Sequence, residues 1–106
     1  MNRKIASLLS LCTKAGMLRT GEGSAEKLLR NKTARLVIVA ADASDNTKKK
    51  FTNKCFFYQI PIRVFGERGD LSKCVGKNQR AVFIITDDGF ATQLQMLIDQ
   101  FLADEV

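Results

Sequence analysis

The eight residues ARLVIVAA, 34–41, place the tightest limit on what this chain can fold into. After Arg35 the run has no polar side chain, and it is rich in β-branched residues. Such a segment reads as a strand covered on both faces, because it offers no polar side to water. It therefore needs neighbouring strands at its edges and helices above and below. IPIRVFG, 60–66, is a second strand, with Pro61 tolerable at its start. AVFIIT, 81–86, is a third and is fully apolar until its last residue. MLRTGE, 17–22, is a short extended piece.

Helical spacing fills the intervals. Ile5, Leu8, Leu9, Cys12 and Ala15 predict a helix over 3–15, with Asn2 as N-cap and Gly16 as stop. Residues 24–32 predict a second helix, with Ala25, Leu28 and Leu29 inward and Lys27, Arg30 and Lys32 outward. A third opens at Ser44 or Asp45; Phe51, Cys55 and Tyr58 form its apolar stripe, and Lys48, Lys49, Lys50 and Lys54 crowd the other side. A short helix spans 70–77, capped by Asp70 and Gly76. Asp87 or Asp88 caps the last one, which carries Phe90, Leu94, Leu97, Ile98 and Phe101. Alternation of this kind implies an α/β fold: a small central sheet with helices on both faces. With 106 residues and no linker, repeat or low-complexity segment, a single domain over 1–106 is expected.

Charge is segregated along the chain. All 17 lysines and arginines lie within residues 1–80, against six acids; residues 81–106 hold five acids and no base. A basic body of this kind points to a polyanionic partner. No apolar run approaches the ~20 residues that span a bilayer, so no membrane partner is expected. The basic-then-apolar start, MNRKIASLLSLCTKAG, is interrupted by Ser7, Ser10, Thr13 and Lys14 and reads as a helix rather than a leader. Cys12, Cys55 and Cys74 lack CxxC spacing and sit in apolar contexts, which predicts reduced thiols, no metal site and a cytoplasmic setting.

Histidine is absent, and with it the usual Ser-His and Cys-His catalytic arrangements. TGEGSAEK, 20–27, contains G-x-G, but Glu26 stands where a dinucleotide fingerprint needs its third glycine. Gly21 and Gly23 allow close backbone approach, the helix start beyond them favours an anion, and Lys27 lies a turn further on. The same residues read equally as an ordinary capped turn. The phenylalanines fall mostly on inward stripes; for Phe56 and Phe57 the core is the expectation, with stacking on a base as the alternative.

Three blocks, KAGMLRTGEGSAEKLLRNKTARLVIVAADAS, IPIRVFGERGDLSKCVGK and RAVFIITDDGF, occur in an order and spacing that resemble the kink-turn RNA-binding ribosomal protein superfamily. That superfamily includes large-subunit proteins seven-Ae and thirty-e, and the chain is most similar to its small stand-alone bacterial members of the YlxQ type. The resemblance covers about residues 3–100. It implies a three-layer α/β/α sandwich around a small mixed four-stranded sheet, and a non-catalytic, ribosomal or ribosome-associated protein that binds sharply bent RNA without a cofactor.

In the family, the pattern G-x-N-E-x-x-K, or G-x-K-Q in the thirty-e branch, enters the RNA groove. Gly21 and Lys27 fit it; Gly23 and Ser24 replace the two residues that hydrogen-bond guanine edges. The RNA-binding set implied is Arg19, Thr20, Gly21, Glu22, Gly23, Ser24 and Lys27 in the first loop and helix start; Asp42, Ala43, Ser44 and Lys48 after the second main strand; and Gly66, Glu67, Arg68 and Gly69 before the short helix. The Lys48–Lys50 cluster and Arg68 are expected to add counterion-release affinity. The alternatives are a protein-interaction module of a ribosome-associated complex that does not touch RNA, and a nucleotide binder or enzyme using the Gly21–Gly23 turn.

Overall fold

A computed structural model of the chain describes residues 1–104. The elements run α1 (Arg3–Lys14), β1 (Leu18–Thr20), α2 (Glu22–Arg30), β2 (Leu36–Val39), α3 (Asp45–Tyr58), β3 (Ile62–Val64), α4 (Arg68–Cys74), β4 (Val82–Ile85) and α5 (Asp88–Asp104). The strands form one mixed sheet in the order β1-β4-β2-β3. β4 is antiparallel to both β1 and β2, and β2 is parallel to β3. β1, β2 and β3 therefore point the same way, and β4 alone runs back.

The period-two alternation of the strands divides the interior into two halves. Leu36, Ile38, Phe83 and Ile85 face α1, α4 and α5, meeting Ile5, Leu9, Cys12, Leu71, Leu94 and Ile98. Val37, Val39, Val82 and Ile84 face α2 and α3, meeting Ala25, Leu29, Phe51 and Cys55. All four residues of β2 are buried, as an all-apolar run requires, and so are those of β4. The expected α/β/α sandwich is the observed one.

The cysteines serve the core as small apolar groups. Burial, helped by the nearby Asp87 charge, pushes the Cys12 thiol up to about 11; burial alone pushes Cys55 to about 11, and it raises Cys74 too. All three stay protonated at neutral pH.

Caps set most helix limits. The Asn2 side chain accepts from the amides of Lys4 and Ile5, Ser44 Oγ from Thr47, and Asp87 Oδ2 from Phe90. Two helices start earlier than their sequence predicts. α2 begins at Glu22 rather than Ser24, because Gly21 adopts φ 102°, ψ 155° and takes the N-cap position itself. α4 begins at Arg68 rather than Asp70, because Asp42, distant in sequence, accepts the Arg68 amide at 2.8 Å. Glu22, Gly23, Arg68 and Gly69 are therefore first-turn residues, not loop residues.

A candidate anion groove

Chain direction decides where the site sits. The C-terminal ends of β1, β2 and β3 lie at one end of the sheet, and β4, running oppositely, starts there. The loops β1–α2, β2–α3, β3–α4 and α4–β4 consequently meet at that end. In open α/β sheets the crevice beyond the carboxyl ends of the strands is where ligands bind.

A groove of about 300 Å³ opens between these loops. Gly21 and Glu22 supply one wall. Ala43, Ser44 and Thr47 supply the next, Arg68 a third, and Gln79, Arg80, Ala81 and Val82 the last. Backbone and side-chain bonds fix the four loops to one another. Gly21 N–H donates to Val82 O at 2.9 Å, Ala41 N–H to Gly66 O at 2.7 Å, and Arg68 Nη2 to Asp42 O at 3.3 Å. Ser72, the buried polar residue of α4, donates to Arg80 O at 3.1 Å and accepts from Arg80 N–H at 2.8 Å, which fastens the α4–β4 loop to α4.

The start of α2 forms one rim of the groove. Gly21 O accepts the Ala25 amide, and Gly21 has no side chain to cap the preceding ones. The amides of Glu22, Gly23 and Ser24 thus have no side-chain cap at the positive end of the helix dipole. Gly21 must be glycine here, since φ 102° with ψ 155° belongs to a region essentially closed to side chains. Gly23 is different: its φ is ordinary, and an added Cβ would meet nothing within 4 Å.

The basic residues divide into engaged and free. Lys27 is exposed one turn beyond Gly23 and has no ion pair among the described residues. Lys48 and Lys49 are likewise unpaired among the described residues. Lys50 is not, so the lysine run contributes fewer free cations than expected. It pairs with Glu26 and with Glu22 at 3.5 Å, joining α3 to α2. The Lys50 hydrogen bond and charge hold the Glu26 carboxyl below its ordinary range, and Glu26 in turn raises Lys50. Glu22 on the groove wall thus shares Lys50 with Glu26, and it also accepts from Thr47 Oγ1 at 3.5 Å.

Of the residues singled out from the sequence, Gly21, Glu22, Ala43, Ser44 and Arg68 line the groove, and Asp42 braces it. Gly23, Ser24 and Lys27 follow along α2. Arg19 and Thr20 lie on β1 opposite Ile84 and Phe83, and the Arg19 guanidinium folds back onto the carbonyls of Gly16 and Leu18 at 3.0 and 3.1 Å. Lys48 sits half-buried on the first turn of α3, outside the groove. Gly66 and Glu67 line a separate cavity with Phe65 and Phe101, and Gly69 lines a cleft with Lys73, Lys77 and Gln79 that continues the groove. Thr47, Gln79, Arg80, Ala81 and Val82 escaped the sequence reading. The polar, basic string KNQR, 77–80, was the available signal, but nothing local says that β4 begins at the site end.

Fold and groove together define an α/β/α sandwich whose loops bring the start of α2 and two arginines, Arg68 and Arg80, to one groove. The chain belongs to the Ribosomal protein L7Ae/L30e/S12e/Gadd45 family, which it matches over residues 3–95. It is 41% identical over 92 residues to the RNA-binding protein YlxQ of Bacillus subtilis (strain 168), covering 87% of this chain and 92% of that one. It is 39% identical over 97 residues to the RNA-binding protein YlxQ of Enterococcus faecium, covering 92% and 93%. Among solved structures it is similar to a protein with unknown function from Bacillus halodurans C, with a TM-score of 0.89 and 43% identity over 92% of this chain and 99% of that one. The fold is shared by the Giardia lamblia 15.5kD RNA binding protein, with a TM-score of 0.76 at 19% identity over 94% and 92%.

Proposed function

We propose that this chain is a non-catalytic RNA-binding protein, acting as one domain in the cytoplasm on or beside the ribosome, that holds sharply bent, kink-turn-like RNA in the groove at the start of α2. The observation that carries the reading is that the start of α2, which has no side-chain cap, shares one groove with Arg68 and Arg80, Gly21 and Glu22 forming its wall. The RNA-binding names borne by relatives about 40% identical over most of the chain support the same reading. Amides and cations of this kind grip phosphates and set the position of the RNA. The extended Gly21 backbone lets the α2 start approach the RNA groove closely.

Base recognition is the weaker half of the mechanism. Gly23 offers no side chain, and Ser24 reaches less far than the Glu or Gln of the family pattern. The RNA is therefore held mainly by shape and charge. Because an added side chain at Gly23 enters open space, the missing contacts are restorable. Gly23→Asn combined with Ser24→Glu is expected to tighten binding to an RNA with tandem sheared G·A pairs by about 1–3 kcal/mol, and to leave a straight duplex unaffected.

A salt-titrated binding assay tests the reading itself. Lys27→Ala is expected to weaken bent-helix RNA binding and to reduce the slope of log K against log salt by about one. An unchanged affinity and slope removes Lys27 from the interface. No binding to bent or straight RNA at low salt overturns the function.

A further inference from the structure

Phe56 and Phe57 were expected in the core, and the structure puts them in water. They stand 87% and 77% exposed at the end of α3 far from the groove, whereas Phe51 and Cys55 of the same helix turn inward. Adjacent aromatic side chains with that exposure mark a contact surface. They border a shallow concavity of about 860 Å³ whose other walls include Asn53, Ile60 and Pro61. The Phe57 ring meets Tyr58 edge-on at 4.9 Å, which steadies it against the helix end.

Two observations indicate what covers this surface. The first is charge. α3 carries Lys48, Lys49 and Lys54 with no ion pair among the described residues, Lys50 being engaged by α2, and its acid is Asp45 in the first turn. Helical spacing puts Lys49 and Asn53 on the same exposed stripe as Phe56. A second copy of the chain would set these lysines against their own kind; a polyanion would be drawn to them. The second is continuity, because α3 begins at Ser44 and Thr47 in the groove and ends at the aromatic pair.

We propose that the outer face of α3 is a second RNA-contact surface. It takes an unpaired strand leaving the bent helix, with phosphates along Lys49 and bases stacked on Phe56 and Phe57. This rests on the RNA reading of the groove. The 14 residues of α3 span about 20 Å, which about six nucleotides cover at the ~3.4 Å spacing of a stacked strand. Stacking on phenylalanine accepts any base, so the surface adds affinity without sequence preference.

The test compares a blunt bent-helix RNA with the same RNA carrying an unpaired extension of about six nucleotides, placed at either end in turn. One placement is expected to tighten binding to the full chain by about tenfold, and Phe56→Ala/Phe57→Ala to abolish that gain while leaving the blunt RNA unaffected. Equal affinity for blunt and both extended RNAs overturns the proposal, as does a gain that survives the double substitution. The blunt RNA reads the groove alone, so the two readings fail separately. If the blunt RNA is not held, loss of binding to the isolated extension strand on double substitution still upholds the surface.

The chain has no tryptophan, so Phe57→Trp introduces a unique reporter. Its fluorescence is expected to be quenched by the extended RNA and not by poly-glutamate. Equal quenching by poly-glutamate overturns base stacking in favour of an acidic protein partner. A concentration-dependent dimer that the double substitution dissolves overturns it in favour of a second copy.

Discussion

Single residues at the groove carry separable burdens. Gly21 is fixed by backbone conformation alone: no neighbouring atom crowds its missing Cβ, yet its φ and ψ exclude other residues. Gly21→Ala is expected to destabilise the fold by about 1–3 kcal/mol, read as a lowered midpoint in chemical denaturation. Gly66 differs, since it has φ 72° and a Cβ would also meet Leu71 Cγ at 3.3 Å. Glu22 is an acid at the mouth of a groove assigned to phosphate. Glu22→Gln removes that charge and is expected to tighten RNA binding at low salt, with the difference fading as salt rises. Equal affinity in the two proteins at low salt would take Glu22 away from the phosphate path. Lys50→Ala makes the opposite change, uncovering Glu22 and Glu26, and is expected to weaken RNA binding without Lys50 touching RNA.

Pairs of elements decide how rigid the groove is. α2 and α3 are joined on their exposed side by Lys50 and the two glutamates. Glu26 has a depressed folded-state pKa, so its contribution is present above its ordinary value of 4.5 and lost as pH falls through the folded value. Lys50 has a raised one, so its contribution is present below 10.5 and lost as pH climbs past the folded value. The coupling is therefore complete between those limits and should vanish in acid. In double-mutant cycles of Lys50→Ala and Glu26→Gln, the coupling measured at neutral pH is expected to disappear below the folded-state pKa of Glu26. Ser72 links α4 to the α4–β4 loop through two bonds to the Arg80 backbone. Ser72→Ala leaves the part-buried Arg80 amide and carbonyl without that partner, and a loss of about 1 kcal/mol is expected. Faster amide exchange confined to residues around Arg80 would show the loop loosening.

Across the whole molecule, acids and bases are arranged less simply than they are along the chain. Among the described residues, three acids of the C-terminal quarter are engaged by the rest of the fold. Asp99 binds the Arg63 side chain at 2.7 and 3.1 Å, Asp88 pairs with Arg35 at 3.1 Å, and Asp87 caps α5. The Arg63 hydrogen bonds hold the Asp99 carboxyl below its ordinary value and tie β3 to α5. Among the described residues, Lys27, Arg68 and Arg80 at the groove and Lys49 on α3 have no carboxylate partner. If Lys27, Arg68 and Arg80 each neutralise one phosphate, log K should fall against log salt with a slope of about −2 to −3 for a blunt bent RNA. A slope near zero would mean that the groove does not meet a phosphate backbone.

The sequence by itself determined the layers. The apolar run 34–41 demanded cover on both faces, helical stripes supplied it, and Asn2, Ser44 and Asp87 marked where helices begin. These are local consequences of side-chain period and capping chemistry, which neighbouring residues settle among themselves. Only tertiary structure decided that β4 runs against its neighbours and so brings Gln79 and Arg80 to the groove. It also decided that Asp42 starts α4 from across the fold, that Lys50 is spent on α2, and that Phe56 and Phe57 face water. Each of these depends on which segments become neighbours in space, and the packing of the two half-cores sets that.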